Sequence, residues 1–310
     1  MPKAHGADAA SSRLARAGGP AADLPSAPPR RGLVVYILRS RKALTGLVLL
    51  AVVIGLAALA SVIAPYPSTE MHALDRFAPP GRSYLFGTDF YGRDLFSRVL
   101  FGFRTSLLVA GFSVVFAMAL GTLIGVIAGY AGGTTDTAVM RAMDIIFAFP
   151  VLLLAITIVV ILGPGILTTV LAIGIVYVPI FARIARGPTL VVREQAYVEA
   201  ARALGQRAWR IIARHVLPNV STPIFVQATI NLATAILFES ALSFLGLGTQ
   251  PPYPSLGLMV SEGRNYIELT PWPTVFPGVA IVAAVLSFNL IGDALQEILD
   301  PRLRPTWTGA

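Results

Sequence analysis

Long uncharged apolar stretches alternate with short polar segments along the chain. Residues 43–64 carry no charge, and at 1.5 Å per residue these 22 positions reach about 33 Å, enough for the ~30 Å hydrocarbon core of a bilayer. Residues 105–135 are also uncharged and predict a second span at about 106–129, closed by the turn-rich run Gly129-Tyr130-Ala131-Gly132-Gly133. The next uncharged run, 145–182, holds 38 positions, about 57 Å as one helix and too long for a single crossing. Gly163-Pro164-Gly165 divides it into spans at about 145–162 and 166–185, the second kinked by Pro179. Two more follow at about 222–244 and 274–292, the last entered through Pro271, Pro273 and Pro277. The fold class expected is therefore an all-α polytopic membrane protein with six transmembrane helices.

The polar segments complete this organisation. Residues 1–31 are rich in Ala, Gly, Pro and Ser, without hydrophobic periodicity, and predict a disordered tail. Residues 32–64 form the first span with its basic flank, 65–104 a loop with nine charges, 105–295 a core of five spans, and 296–310 a short tail. Within the 65–104 loop, Leu95, Phe96, Val99, Leu100 and Phe103 share a helical face, and Asp94 and Arg98 stand four apart. This predicts a helix on the outer membrane surface, serving either to orient span two or to dock an external protein. Ala58-Leu59-Ala60 has the small-x-small form of a signal-peptide cleavage site. Its n-region would exceed 40 residues, however, so an uncleaved first span is expected.

Composition strengthens the membrane reading. Charged residues make up 13% of the chain, about half the ~25% of soluble domains, and mean hydropathy is +0.72. The absence of cysteine excludes disulfides, thiolate metal sites and cysteine nucleophiles. His5, His72 and His215 lie outside the expected spans, so neither a metal site nor a catalytic constellation is expected. The net charge of +8 raises nucleic acid as a partner until the charges are located. With both termini cytoplasmic, 18 of the 24 Lys and Arg fall inside and 6 outside. That bias predicts an N-in, C-in topology and makes the basic charge a matter of orientation and lipid contact, not nucleic acid.

One polar segment is unusual. Residues 183–214 hold seven Arg, and 186–218 read as a long amphipathic cytoplasmic loop. Glu199-Ala200-Ala201 sets a carboxylate beside small side chains that permit close approach by a partner. Gly205 can end a short helix in the left-handed conformation. Trp209, Ile211, Ile212 and Val216 lead back to the membrane, with Pro218 at the start of span five. The alternative is a solvated loop facing lipid phosphates.

The spacing Glu199-Ala200-Ala201, three residues, Gly205, then Leu217-Pro218 resembles the signature loop of ABC-importer permease subunits. His215, where the family often carries Ile, resembles the peptide-importer branch. Phe86-Gly87-Thr88-Asp89, Gly92-Arg93-Asp94, Ser97-Arg98 and Gly102 are similar to the segment before the second span of C-type permeases of dipeptide and oligopeptide importers. Glu239-Ser240-Ala241-Leu242-Ser243-Phe244-Leu245-Gly246-Leu247-Gly248 is similar to the end of their fifth span. The resemblance covers residues 30–305.

It implies a type I importer permease fold in the inner membrane, working by alternating access with a second homologous permease, two cytoplasmic ATPase subunits and an extracytoplasmic binding protein. The ATPase-coupling residues implied are Glu199, Ala200, Ala201, Gly205, Leu217 and Pro218. ATP and Mg would belong to the ATPases. The chain has no P-loop, since its only lysines are Lys3 and Lys42, so no cofactor and no catalytic residue is expected on it. Asp89, Arg93, Asp94, Arg98 and Tyr253 are candidates for docking the binding protein. Gln227, Asn231 and Asn289 are candidates for lining the pathway or for hydrogen bonding between helices. Glu239 is a lining residue for a peptide amine or a structural tie to the outer loop or the second permease. The tie is preferred, because the same residue belongs to the subfamily motif whatever the substrate. Nickel or glutathione importers have similar subunits and stand as alternatives for the substrate. A self-sufficient channel or secondary transporter would need intramembrane ion-binding charges or an inverted repeat, neither of which is evident.

Overall fold

A computed structural model describes residues 40–299, so the expected tail over 1–31 lies outside the described residues, as do residues 300–310. Among the described residues every regular element is helical. In chain order these are α1 (Arg41–Ala58), α2 (Ala60–Ile63), α3 (Leu95–Ala131), α4 (Gly133–Phe147), α5 (Val151–Leu162), α6 (Ile166–Arg193), α7 (Ala196–Ala203), α8 (Ala208–Ile211), a π turn (Ile212–Val216), α9 (Leu217–Phe244), α10 (Leu256–Arg264) and α11 (Trp272–Leu299). Five helical stretches are long and apolar enough to cross a membrane: α1, α3, α6, α8 through α9, and α11.

Three expectations change. The first concerns the surface helix. Residues 86–94 are loop and turn, and α3 begins at Leu95, where the Asp94 side chain accepts from the Ser97 N–H at 2.8 Å. From there α3 runs unbroken for 37 residues, about 55 Å. The apolar face of Leu95, Val99, Leu100 and Phe103 is buried in protein and does not rest on lipid. A charged turn can enter the interior because Arg98 finds carboxylates there, as described below.

The second change is at the third span. Pro150 lacks the N–H that would continue the ladder, and it disfavours helix at the residue before it. The segment expected at 145–162 is therefore split, with α4 and α5 meeting at 86°. With 12 residues, α5 reaches only about 18 Å, so a sixth crossing exists only if the bent pair is counted as one. The third change is at the fifth span, whose helix starts at residue 208, far ahead of the expected 222.

Close backbone contact holds the bundle. Helices α3 and α6 share its most extensive contact. Gly121, Gly125 and Gly129 recur every four residues along one face of α3 and lie on α6, and a Cβ on Gly125 would collide with the Ala182 carbonyl. Small residues at that spacing let helices approach where lipid supplies no hydrophobic drive to associate. The core around this seam is built mostly of Ala, Val and Ile from α3, α5, α6, α9 and α11.

Candidate functional site

At one end of the bundle the chain leaves α6, forms α7 and returns through α8. Helical periodicity gives the eight-residue α7 two faces. Val198 and Ala201, three apart, are buried with Ile211 against Tyr130 and Val192. Glu199, Ala200, Arg202 and Ala203 are exposed. Ala201 is thus an internal packing residue, which corrects its assignment to a surface meeting another chain. Glu199 and Ala200 are free to meet one.

Gly205 ends the helix as a Schellman motif. Its φ is 73°, its N–H bonds the Arg202 carbonyl at 2.9 Å, and the Gln206 N–H bonds the Ala201 carbonyl at 3.1 Å. Any other residue at this φ would be strained.

Side chains tie α7 to the neighbouring helix ends. The Arg202 guanidinium lies 4.9 Å from the Tyr130 ring centroid, and just ahead of α7 the last residue of α6, Arg193, donates to the Gly129 carbonyl of α3 at 2.8 Å. The π turn ends just before Leu217-Pro218. It absorbs a site where proline can neither donate nor fit an α ladder. Asn219 satisfies the His215 carbonyl through its side-chain amide at 2.6 Å. Leu217 and Pro218 are exposed and open α9, with Pro218 in its first turn as expected, although helix already runs into them from residue 208.

At the opposite end, four residues expected to dock an external protein are buried. Asp89, Arg93 and Asp94 are each at most 5% exposed, and Arg98 is 1% exposed. Nor does Asp94 pair with Arg98, since its carboxylate caps α3. Instead Arg93 bonds Asp89 at 2.6 Å, and Arg93 and Arg98 both reach Glu262 of α10 at 2.9 Å. The Asp89 carboxylate also accepts from the backbone N–H of Tyr91 and Arg93. This clasp fastens the start of α3 to α10, and its side chains are turned inward, not outward as a docking surface would need. It borders a cavity of about 160 Å³ walled by Phe77, Phe90, Tyr91 and Tyr266. Sequence reasoning missed Glu262, whose only signal was being an acid in a largely apolar loop. Nearby, Tyr84 has its hydroxyl pushed up to about 12, first by burial and then by its 2.8 Å bond to Asp75. Tyr253 is exposed in the loop between α9 and α10.

The intramembrane polar residues divide. Glu239 is fully buried and accepts from the Ser243 hydroxyl at 2.8 Å, which in turn accepts from the Thr249 N–H at 3.2 Å. That chain links span five to the loop that follows it. Gln227 donates to Asn231 at 2.9 Å within α9, whereas Asn289 is exposed on α11. Among the described residues no group of His, Cys, Asp or Glu is arranged to hold a metal.

The described residues thus form a bundle of long apolar helices with one short amphipathic helix packed at its end. Residues 121–305 match the family described as the binding-protein-dependent transport system inner membrane component, and residues 35–80 match the N-terminal transmembrane domain of oligopeptide transport permease C. The chain belongs to that inner-membrane component family, as a multi-pass permease subunit of an ABC transporter. It is 43% identical to a dipeptide transport system permease protein of Alkalihalophilus pseudofirmus, over 89% of this chain and 91% of that one. It is 45% identical to a putative peptide transport system permease protein of Brucella suis, over 86% and 90%. It is also 41% identical to a glutathione transport system permease protein of Pectobacterium atrosepticum, over 86% and 89%. In fold it is similar to a chain from inward-facing structures of the MetNI methionine ABC transporter, at 19% identity and TM-score 0.53, over 66% of this chain and 97% of that one. The fold is that of a type I ABC importer permease.

Proposed function

We propose that this subunit carries dipeptides or oligopeptides into the cell by alternating access. It would work with a second homologous permease, two cytoplasmic ATPase subunits that bind ATP and Mg, and an extracytoplasmic binding protein that delivers the peptide. The peptide class follows the named functions of the relatives. Glutathione, itself a modified tripeptide, is the second reading, favoured by the Pectobacterium relative. The 18-to-6 division of Lys and Arg supports an N-in, C-in topology, which sets α7 on the side where ATP is present.

The construction of α7 carries the proposal. Its outer face offers Glu199 and Ala200 to an ATPase groove, while its inner face is wedged against Tyr130 at the end of α3 and Ile211 of α8. A displacement of α7 is thereby applied directly to the ends of two long helices. Gly205 fixes the angle at which α7 stands. The packed interior does not deform continuously, so such a push selects between two rigid arrangements of the spans.

The test is ATPase activity of the complex reconstituted with the partner chains in lipid vesicles, measured with and without peptide-loaded binding protein. Glu199→Arg and Gly205→Val are expected to leave the permease inserted and to abolish the stimulation. Full stimulation in both would overturn the coupling role.

A further inference from the structure

A basic hollow lies between α4 and α6, beyond the residues used above. Its volume is about 330 Å³, and Thr137, Met140, Arg141, Asp144, Arg183 and Arg186 line it. Arg186 holds Asp136 through two hydrogen bonds at 2.5 and 2.6 Å, and Arg183 holds Asp144 at 2.7 Å. Arg141 is exposed and has no carboxylate partner among the described residues. The three guanidiniums and two carboxylates leave one positive charge uncompensated. Each paired arginine also keeps N–H groups free, because the Asp136 pair uses Nε and one terminal nitrogen of Arg186, and the Asp144 pair uses a single nitrogen of Arg183.

The location selects the ligand. Counted from Ile166, Arg183 and Arg186 stand about 26 and 30 Å along α6, the depth at which a helix leaves the hydrocarbon. The 86° bend turns α4 away from the direction of α5 beside this depth. Beside the hollow, Ile145, Phe147 and Phe149 present exposed apolar side chains, and Arg183 lies 4.4 Å from the Phe147 ring centroid. A donor-rich hollow with one spare positive charge and an apolar rim fits a phosphodiester with acyl chains attached.

We infer that the α4–α6 hollow binds the phosphate headgroup of an anionic phospholipid, with Arg141 as its main charge and Arg183 and Arg186 as supporting donors. The inference is independent of the substrate and of the coupling role, and the topology decides only which leaflet supplies the lipid.

Native mass spectrometry of the complex, released from nanodiscs of mixed phosphatidylglycerol and phosphatidylcholine, tests this. Wild type is expected to retain phosphatidylglycerol in preference to phosphatidylcholine. Arg141→Glu should lower that retention about fivefold or more, on a scale of roughly one kcal/mol per basic residue at a charged membrane. Arg141→Lys should keep most of it. Excess inorganic phosphate should not displace the lipid; displacement would assign the site to free phosphate. Equal retention in wild type and Arg141→Glu would overturn the inference. So would a loss of ATPase subunits from Arg141→Glu with lipid unchanged, which would make the hollow a protein interface. Arg141 has no internal partner to lose, so its variants should fold, and thermal unfolding equal to wild type checks that they do.

Discussion

Arg98 shows how one residue changes the reading of its surroundings. Its charge, four positions from Asp94 on a helical face, suggested a surface helix, because an arginine next to an expected span belongs at the water boundary. The sequence does not display that Glu262, more than 160 positions away, supplies the compensating charge. Such a buried network is strongly destabilised when one partner is removed, by about 3–5 kcal/mol, because the remaining charges stay buried without compensation. Arg98→Met should therefore lower the thermal unfolding midpoint of the purified permease far more than a substitution at exposed Arg104, and comparing the two by unfolding in detergent checks it. Glu239 was legible as a residue out of place in an apolar run, and the Ser243–Thr249 chain joins it to the loop after α9, which makes a tie the role we propose for it. A tie needs an acceptor rather than a charge, so Glu239→Gln should retain peptide uptake in reconstituted vesicles. Loss of uptake with normal assembly would return Glu239 to the pathway.

At the scale of elements, uncharged runs located the crossings because a charge inside lipid is costly whatever its neighbours. Helix ends were less legible. Helix α9 continues back through the π turn to α8, where polar residues outside the hydrocarbon still form helix. Pro150 split a run whose hydropathy gives no sign of a break. The seam of Gly121, Gly125 and Gly129 was in plain view as small residues four apart, yet only the contact with α6 gives it meaning. Gly125→Val is expected to destabilise by at least about 2 kcal/mol through overpacking against backbone, whereas Gly111→Val, with open space around it, should be tolerated. Unfolding of both variants in the same detergent checks the contrast. For α7, the Glu-Ala-Ala spacing located the helix, but only the packing shows that its two alanines face opposite ways.

On the scale of the whole molecule, the clasp and the proposed coupling helix stand at opposite ends of α3. The clasp of Asp89, Arg93, Arg98 and Glu262 locks the start of α3 to α10, and α7 is wedged at the far end of the same helix. Under the proposed coupling, a 37-residue helix held at one end and pushed at the other would act as a rigid lever, and Pro150 gives the adjoining α4–α5 segment its bend. The proposed coupling requires α7 to offer one face to an ATPase and the other to its own chain. Single cysteines at Ala200 and Ala201, in a chain without native cysteine, test this most directly, with a short crosslinker applied to the complex reconstituted with its ATPase subunits. The cysteine at Ala200 is expected to crosslink to an ATPase subunit and the one at Ala201 is not. Equal crosslinking at both positions, or none at Ala200 in an assembled complex, would contradict the account.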